Sequence, residues 1–231
     1  MIDPSFSSFA AQGFKLVESV LPVQACEDML PLLPAQGQEG ARPGCRDLLM
    51  EPWCAALSRS LRAHSAVSPT LAASSVAVQC TYFEKSANQN WLVPVHQDLS
   101  IPVAERVEHP ALSGWSVKGG QYFVQAPVSV LNQLVAIRLH LDDCGEMDGP
   151  LRVVPGSHAR GVLSPNEAIV VRRSVGHVVC TVPKGGVLVM KPLLLHASSK
   201  STGKGLRRVL HFLFGPPDLP CGLRWAVAVS A

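Results

Sequence analysis

The sequence predicts a mainly β protein, a barrel or jelly roll of about eight strands with two or three helices packed on one sheet. Three observations carry this expectation. The hydrophobic period changes from helical to strand-like near residue 76. The 18 glycines and 19 prolines are scattered as turn-formers and gather in no repeat or tract. Apolar residues make up 47% of the chain against 16% charged, so 231 residues are enough to bury a core as one domain.

In chain order, residues 1–70 read as a helical support. Segments around 6–12, 23–34 (VQACEDMLPLL) and 46–64 (RDLLMEPWCAALSRSLRAH) space Leu, Met, Ala and Trp at helical intervals. The Gly/Pro-rich residues at 37–44 separate two of them as a loop. From 76 to 231 the runs are short, β-branched or aromatic, and bounded by Gly, Pro, Asn or Asp. They are SVAVQCTYF, WLVPVH, LVAIRLHL, LRVVP, HVVCTV, GVLVM, LLLHA and RRVLHFLF. Residues 99–134 form a long, less regular insert, the kind of segment that often builds an active-site lid.

Several function classes are set aside. The net charge of +3 is spread along the chain with no dense basic block, so no nucleic-acid partner is expected. No run of about 18 apolar residues exists, and GGVLVMKPLLLHA is interrupted by Lys191 and Pro192, so no membrane span is expected. The N-terminus has Asp3 and no basic stretch before an apolar run, unlike a secretory signal. Seven scattered cysteines without a CxxC pair read as reduced thiols, so a cytoplasmic protein is expected. Oligomeric state is left open.

The chemistry lies in three places. His96 and Asp98, in VPVHQDLS, follow an apolar run, and residues two apart on a strand share a face. One HxD triplet arises easily by chance. His196, ending KPLLLHASS, would alone read as a structural histidine. Together the three make two imidazoles and one carboxylate, the facial triad of non-heme iron(II) sites, which leaves three adjacent positions open. Eleven residues after His196 stands Arg207, whose planar fork suits the far carboxylate of a dicarboxylate chelating the metal at its other end. Ser198 would add a hydroxyl donor on the face of His196. Arg208, on the opposite face, is the competing guanidinium.

The ordered set HQD, LHLDDCGEMDGPLRVVPGSHARG and KPLLLHASS followed by RR resembles the phytanoyl-CoA dioxygenase family over nearly the whole chain. The resemblance implies a double-stranded β-helix (jelly roll, cupin-like) core, iron(II), 2-oxoglutarate and dioxygen. It places the metal on His96, Asp98 and His196, and the cosubstrate on Arg207, Ser198, Gln97 and Thr81. Arg138 stands where a relative has a tryptophan against the cosubstrate, and a second carboxylate contact is its expected role. The implied activity is hydroxylation, or other oxidation, of an unactivated C–H bond of a small metabolite, with release of succinate and carbon dioxide. Related halogenases carry a small residue where Asp98 stands, so chlorination is not expected. The rival reading is a non-catalytic or cosubstrate-independent cupin-like barrel that binds a metal or ligand.

Other polar and aromatic residues have blander readings beside the sharper one. Trp91, Trp115 and Gln121 are candidates for a substrate pocket, although aromatic residues in inserts often serve as hydrophobic anchors. His140 shares a strand face with Arg138 and is a further substrate-pocket candidate, with core packing as the alternative. Asp142, Asp143 and His158 lie among Gly and Pro and read as turn residues.

Overall fold

The computed structural model describes residues 8–34, 45–86, 90–203 and 205–230. Twelve strands appear among them, all paired antiparallel in three sheets. Five make one sheet in the order β1 (Phe14–Val17), β10 (Val187–Met190), β7 (Val135–His140), β12 (Arg207–Gly215), β2 (Val76–Lys85). Four make a second, ordered β3 (Val93–His96), β11 (His196–Ser198), β8 (Leu151–Val153), β9 (Val178–Cys180). The third holds β4 (Ser100–Val103), β6 (Gln121–Gln125) and β5 (Ser113–Lys118).

The five-stranded sheet is buried on both faces, which is why its strands read as near-continuous apolar runs. Leu210 and Phe212 of β12, with Ile137 and Leu139 of β7, turn outward onto the helical layer. That layer presents Cys26 and Met29 from α2 (Val23–Met29) and Cys54, Leu57 and Leu61 from α3 (Pro52–Ala63). The opposite face, through Ala136, Leu188, Met190 and Leu213, meets Leu151, Val153 and Cys180 of the second sheet. Two antiparallel sheets packed around one core are the double-stranded β-helix the sequence implied. All seven cysteines are free. Among the described residues no helix is long and apolar enough to cross a membrane.

Several expectations need correction in detail. The helix expected over 46–64 starts only at Pro52, where proline is suited to the first turn, with a 3-10 turn at Leu48–Met50 before it. The segment at 6–12 is helical at α1 (Phe9–Gln12); residues 6 and 7 and the loop at 37–44 lie outside the described residues. The 99–134 insert is regular: it holds β4, β5, β6 and α4 (Val128–Leu131). Gly119 and Gly120, both at positive φ, close the β5–β6 hairpin between the paired Lys118 and Gln121, a two-residue turn that needs such backbone. Helix α5 (Pro165–Val175) was not expected, yet Ser164 and Glu167 form a capping box at its start. Strand β1, also unexpected, completes the edge of the large sheet by pairing with β10.

Phe212 is fully buried at the joint between sheet and helices. Phe212→Ala is expected to lower the unfolding free energy by about 3–5 kcal/mol, read as a lower urea midpoint at unchanged slope.

Candidate metal centre and anion pocket

Antiparallel pairing of β3 with β11 sets His96 directly across from His196, with ring centroids 4.2 Å apart. Asp98 is not on the strand, as β3 ends at His96; it sits in the following connector, where its backbone N–H donates to Pro192 O at 2.9 Å. Its carboxylate still closes the group. Asp98 Oδ1 lies 3.5 Å from His96 Nε2 and Oδ2 lies 3.6 Å from His196 Nε2, and one ligand atom from each residue falls within 4.8 Å of the others.

The tautomers are fixed by backbone. His96 Nδ1–H donates to Pro94 O and His196 Nδ1–H donates to Leu194 O, both at 2.9 Å. Each Nε2 lone pair therefore faces the carboxylate, the state a divalent ion requires. Burial pushes the imidazole of His196 down to about 4, which keeps it neutral. Asp98 is held far below the usual carboxylate range: burial opposes this, but the attraction of the His196 and His96 imidazoles, exerted when they are protonated, outweighs it. The donor set fits iron(II).

The triad opens into a cavity of about 390 Å³ whose lining includes Thr81, Phe83, Trp91, Arg138, Ser198, Arg207 and His211. Period-two alternation places them there. Thr81 and Phe83 on β2, Arg138 on β7, and Arg207 and His211 on β12 all face inward, with His211 opposite both Thr81 and Arg138. Arg207 precedes His211 by four residues, about 13 Å along the strand at ~3.3 Å per residue. It is 4% exposed and donates to Gly149 O, while its Nε has no partner. Gly149 sits at φ 63 against Ser199 O, where an added Cβ would come within 2.6 Å. Arg138 is 7% exposed; its Nη1 donates to His211 Nδ1 at 2.9 Å and its Nε is likewise unpartnered.

Sequence reasoning missed Lys85, which pairs across β2 and β12 with Arg207 and is fully buried. Its ammonium donates to Ser198 Oγ at 2.9 Å and to Ser199 O at 2.6 Å, and lies 5.6 Å from the Trp91 ring. Burial, then Arg207 and Arg138, push it down to about 7. The signal was present, because Thr81, Phe83 and Lys85 share one face of an otherwise apolar strand. Among the described residues lining the cavity, Asp98 is the one carboxylate. Arg138 and Arg207 thus face the pocket as buried cations, and the Lys85 ammonium lies buried against Ser198 of its lining.

Other candidates are placed elsewhere. Arg208 points outward into a bidentate pair with Asp142, Nε to Oδ2 at 2.8 Å and Nη2 to Oδ1 at 2.6 Å, whereas Arg207 lines the cavity. Gln97 borders the cavity, but both its amide hydrogens are engaged, by Gly161 O and Leu193 O, and its Oε1 accepts from Leu163 N. These bonds make Gln97 a brace for the 161–163 loop at the cavity's edge. Trp115, Gln121 and His140 are not among the lining residues. Trp115 lies under Arg106, 5.7 Å from the guanidinium, Gln121 closes the β5–β6 hairpin, and His140 is enclosed with its Nδ1 unpartnered. Asp143 accepts from Lys184 N, and His158 donates to Ala10 O, both structural as expected.

The sequence profile of the phytanoyl-CoA dioxygenase (PhyH) family matches residues 9–209. No curated protein sequence matches the chain. Among solved structures, the non-heme alpha-ketoglutarate-dependent carbocyclase SnoK from nogalamycin biosynthesis superposes with a TM-score of 0.63 at 18% identity, over 91% of this chain and 82% of that one. EctD from S. alaskensis with 2-oxoglutarate and 5-hydroxyectoine gives 0.65 at 15% identity, over 94% and 76%. HygX from Streptomyces hygroscopicus with nickel, 2-oxoglutarate and hygromycin B gives 0.59 at 19%, over 90% and 84%. These likenesses establish the fold.

The depressed Lys85 ammonium has a stability consequence. An unfolded lysine titrates near 10.4, so between pH 7 and 10 the unfolded chain holds the extra proton and ligand-free stability gains from rising pH. Urea denaturation at pH 7, 8 and 9 should show wild type gaining about 1 kcal/mol per pH unit relative to Lys85→Met. Parallel pH profiles for the two proteins would contradict this.

Proposed function

The chain belongs to the phytanoyl-CoA dioxygenase family, and on that premise we propose an iron(II)- and 2-oxoglutarate-dependent oxygenase that hydroxylates, or otherwise oxidises, an unactivated C–H bond of a small metabolite. Succinate and carbon dioxide are the co-products. The observation that carries the reading is the pairing, in one cavity, of a His-Asp-His group with the buried guanidinium groups of Arg138 and Arg207, which have no carboxylate partner among the described residues. A buried cation without an anion is costly, so such a pocket is made for an acidic ligand.

His96, Asp98 and His196 hold the iron. When bound, it supplies the activation of dioxygen, with 2-oxoglutarate as electron donor, that C–H oxidation needs. Arg207 takes the distal carboxylate of the cosubstrate, and Arg138 adds a second guanidinium contact. Ser198 donates its hydroxyl hydrogen to the same group. Lys85 makes that donation available: by donating to Ser198 Oγ it leaves the hydroxyl hydrogen free to turn towards the ligand. Thr81 lines the wall, its Oγ1 already accepting from Gln79. Gln97 acts indirectly, by holding the loop beside the triad.

The substrate is small. A cavity of about 390 Å³ lies near the low end of the ~300–1,000 Å³ common for ligand sites, and it holds cosubstrate as well. HygX with hygromycin B and EctD with 5-hydroxyectoine are relatives by fold with small-molecule ligands, which supports the same class here.

Under anaerobic conditions, iron(II) plus 2-oxoglutarate should give a weak visible metal-to-ligand absorption band. His96→Ala should abolish it, and an undiminished band in that variant would count against the assignment. Arg207→Ala should keep the metal but weaken 2-oxoglutarate by about 2–5 kcal/mol in a titration of the same band, the usual cost of removing one partner of a desolvated charge pair.

A further inference from the structure

Lys118, on the β5–β6 hairpin, reaches the cavity from a different element than any group used above. It is half-buried, with its ammonium 4.7 Å from the ring centroid of the cavity-lining Phe123. Arg46, from the segment before α3, lines the same cavity. The two cations are close enough that Arg46 helps, after burial, to push the Lys118 ammonium down, while Asp98 pulls it up. Two cationic side chains thus line the cavity from separate elements, and Lys118 is within electrostatic reach of Asp98.

The charge balance within the cavity points the same way. Iron(II), Asp98 and a dianionic cosubstrate together carry a single negative charge. Facing it are Arg207 and Arg138, both buried, before Lys118 is counted. Filling the metal and cosubstrate sites therefore leaves a positive cavity. A cationic substrate would be repelled there, and a neutral one would leave the cavity's excess positive charge uncompensated. An anionic oxygen group compensates it, and the cavity-lining Phe123 ring beside Lys118 offers an apolar body its resting place.

Resting on the oxygenase reading above, we infer that the primary substrate is a small organic acid whose carboxylate or phosphate docks on Lys118 beside Arg46, with its apolar part over Phe123. A carboxylate and a phosphate share this chemistry, and the test separates them. Octanoate, octyl phosphate, octan-1-ol and octylamine carry one body with four headgroups. Each is titrated by calorimetry into the iron(II)-loaded protein under nitrogen, with saturating 2-oxoglutarate. The two acids are expected to bind at least tenfold more tightly than the alcohol, and the amine least. Whichever acid is tighter names the headgroup.

Lys118→Ala should erase the tenfold advantage, and Lys118→Glu should turn the preference towards the amine. Lys118 is half-exposed on a hairpin, so both variants are expected to fold, and an unchanged thermal midpoint checks this. Equal affinity for acid and alcohol, no binding by any of the four, or an acid preference that survives both variants would overturn the inference. The absorption band of the wild-type protein is recorded in the same samples. A missing band strikes at the oxygenase reading, whereas the headgroup preference read by calorimetry strikes only at the rim, so the two failures are distinguishable.

Discussion

The site depends on one antiparallel register: the pairing of β3 with β11 that sets His96 opposite His196. Residues a hundred positions apart become nearest neighbours only because these two strands align at that pair. The same device orients both rings, each Nδ1–H bonding the carbonyl two residues before it, Pro94 in one case and Leu194 in the other. Asp98 joins them through a different constraint, the bond from its backbone N–H to Pro192 O. Since Pro192 lies on the approach to β11, one connector is tied to the other, and the carboxylate follows the histidines if that seam shifts. Gln97, between the two ligands, adds Leu193 O and the 161–163 loop to the same knot. Three ligands are thus held by backbone contacts more than by one another.

Opposed to this neutral-to-negative centre is a wall of buried positive charge. Lys85, Arg138 and Arg207 are each expensive to bury, and none has a carboxylate partner among the cavity's lining. The lysine shows the strain most directly, since its ammonium titrates near neutrality. On the proposed reading, a dianion that compensates this charge gains affinity from it, so binding and folding would draw on the same free energy.

The His-Asp-His group and the buried Arg207 stood out in the sequence because each involves a polar residue at the end or start of an apolar run, where burial demands a reason. The runs of β2, β7, β10 and β12 were legible for a related cause: a sheet covered on both faces makes uninterrupted apolar runs. What was hidden depended on pairing or on local breakers. Lys85 looks like an ordinary charged strand end until β12 places Arg207 across from it. Arg207 and Arg208 are indistinguishable by composition, and only the outward pair with Asp142 separates them. The insert seemed irregular because Pro102, Gly114 and the Gly119–Gly120 turn break the alternation of three real strands. Helix α5 was readable from Ser164 and Glu167, but its short, mostly exposed length gives a weak apolar stripe.

The fold also divides labour among its sheets. The second sheet and its connectors carry the His-Asp-His group and Ser198, while the five-stranded sheet carries Thr81, Arg138, Arg207 and His211 of the cavity's lining. On the proposed reading, a ligand chelated at one end and held by guanidinium at the other would span the gap between the sheets and clamp them together. The third sheet would take neither role; it brings Lys118 and Phe123 to the cavity on a hairpin closed by two glycines. Changes there would alter what meets the metal without moving the ligands or the guanidinium wall. The two larger sheets would then fix the reaction, and the small one, free of that duty, is where selectivity for a substrate could vary at little cost to the rest.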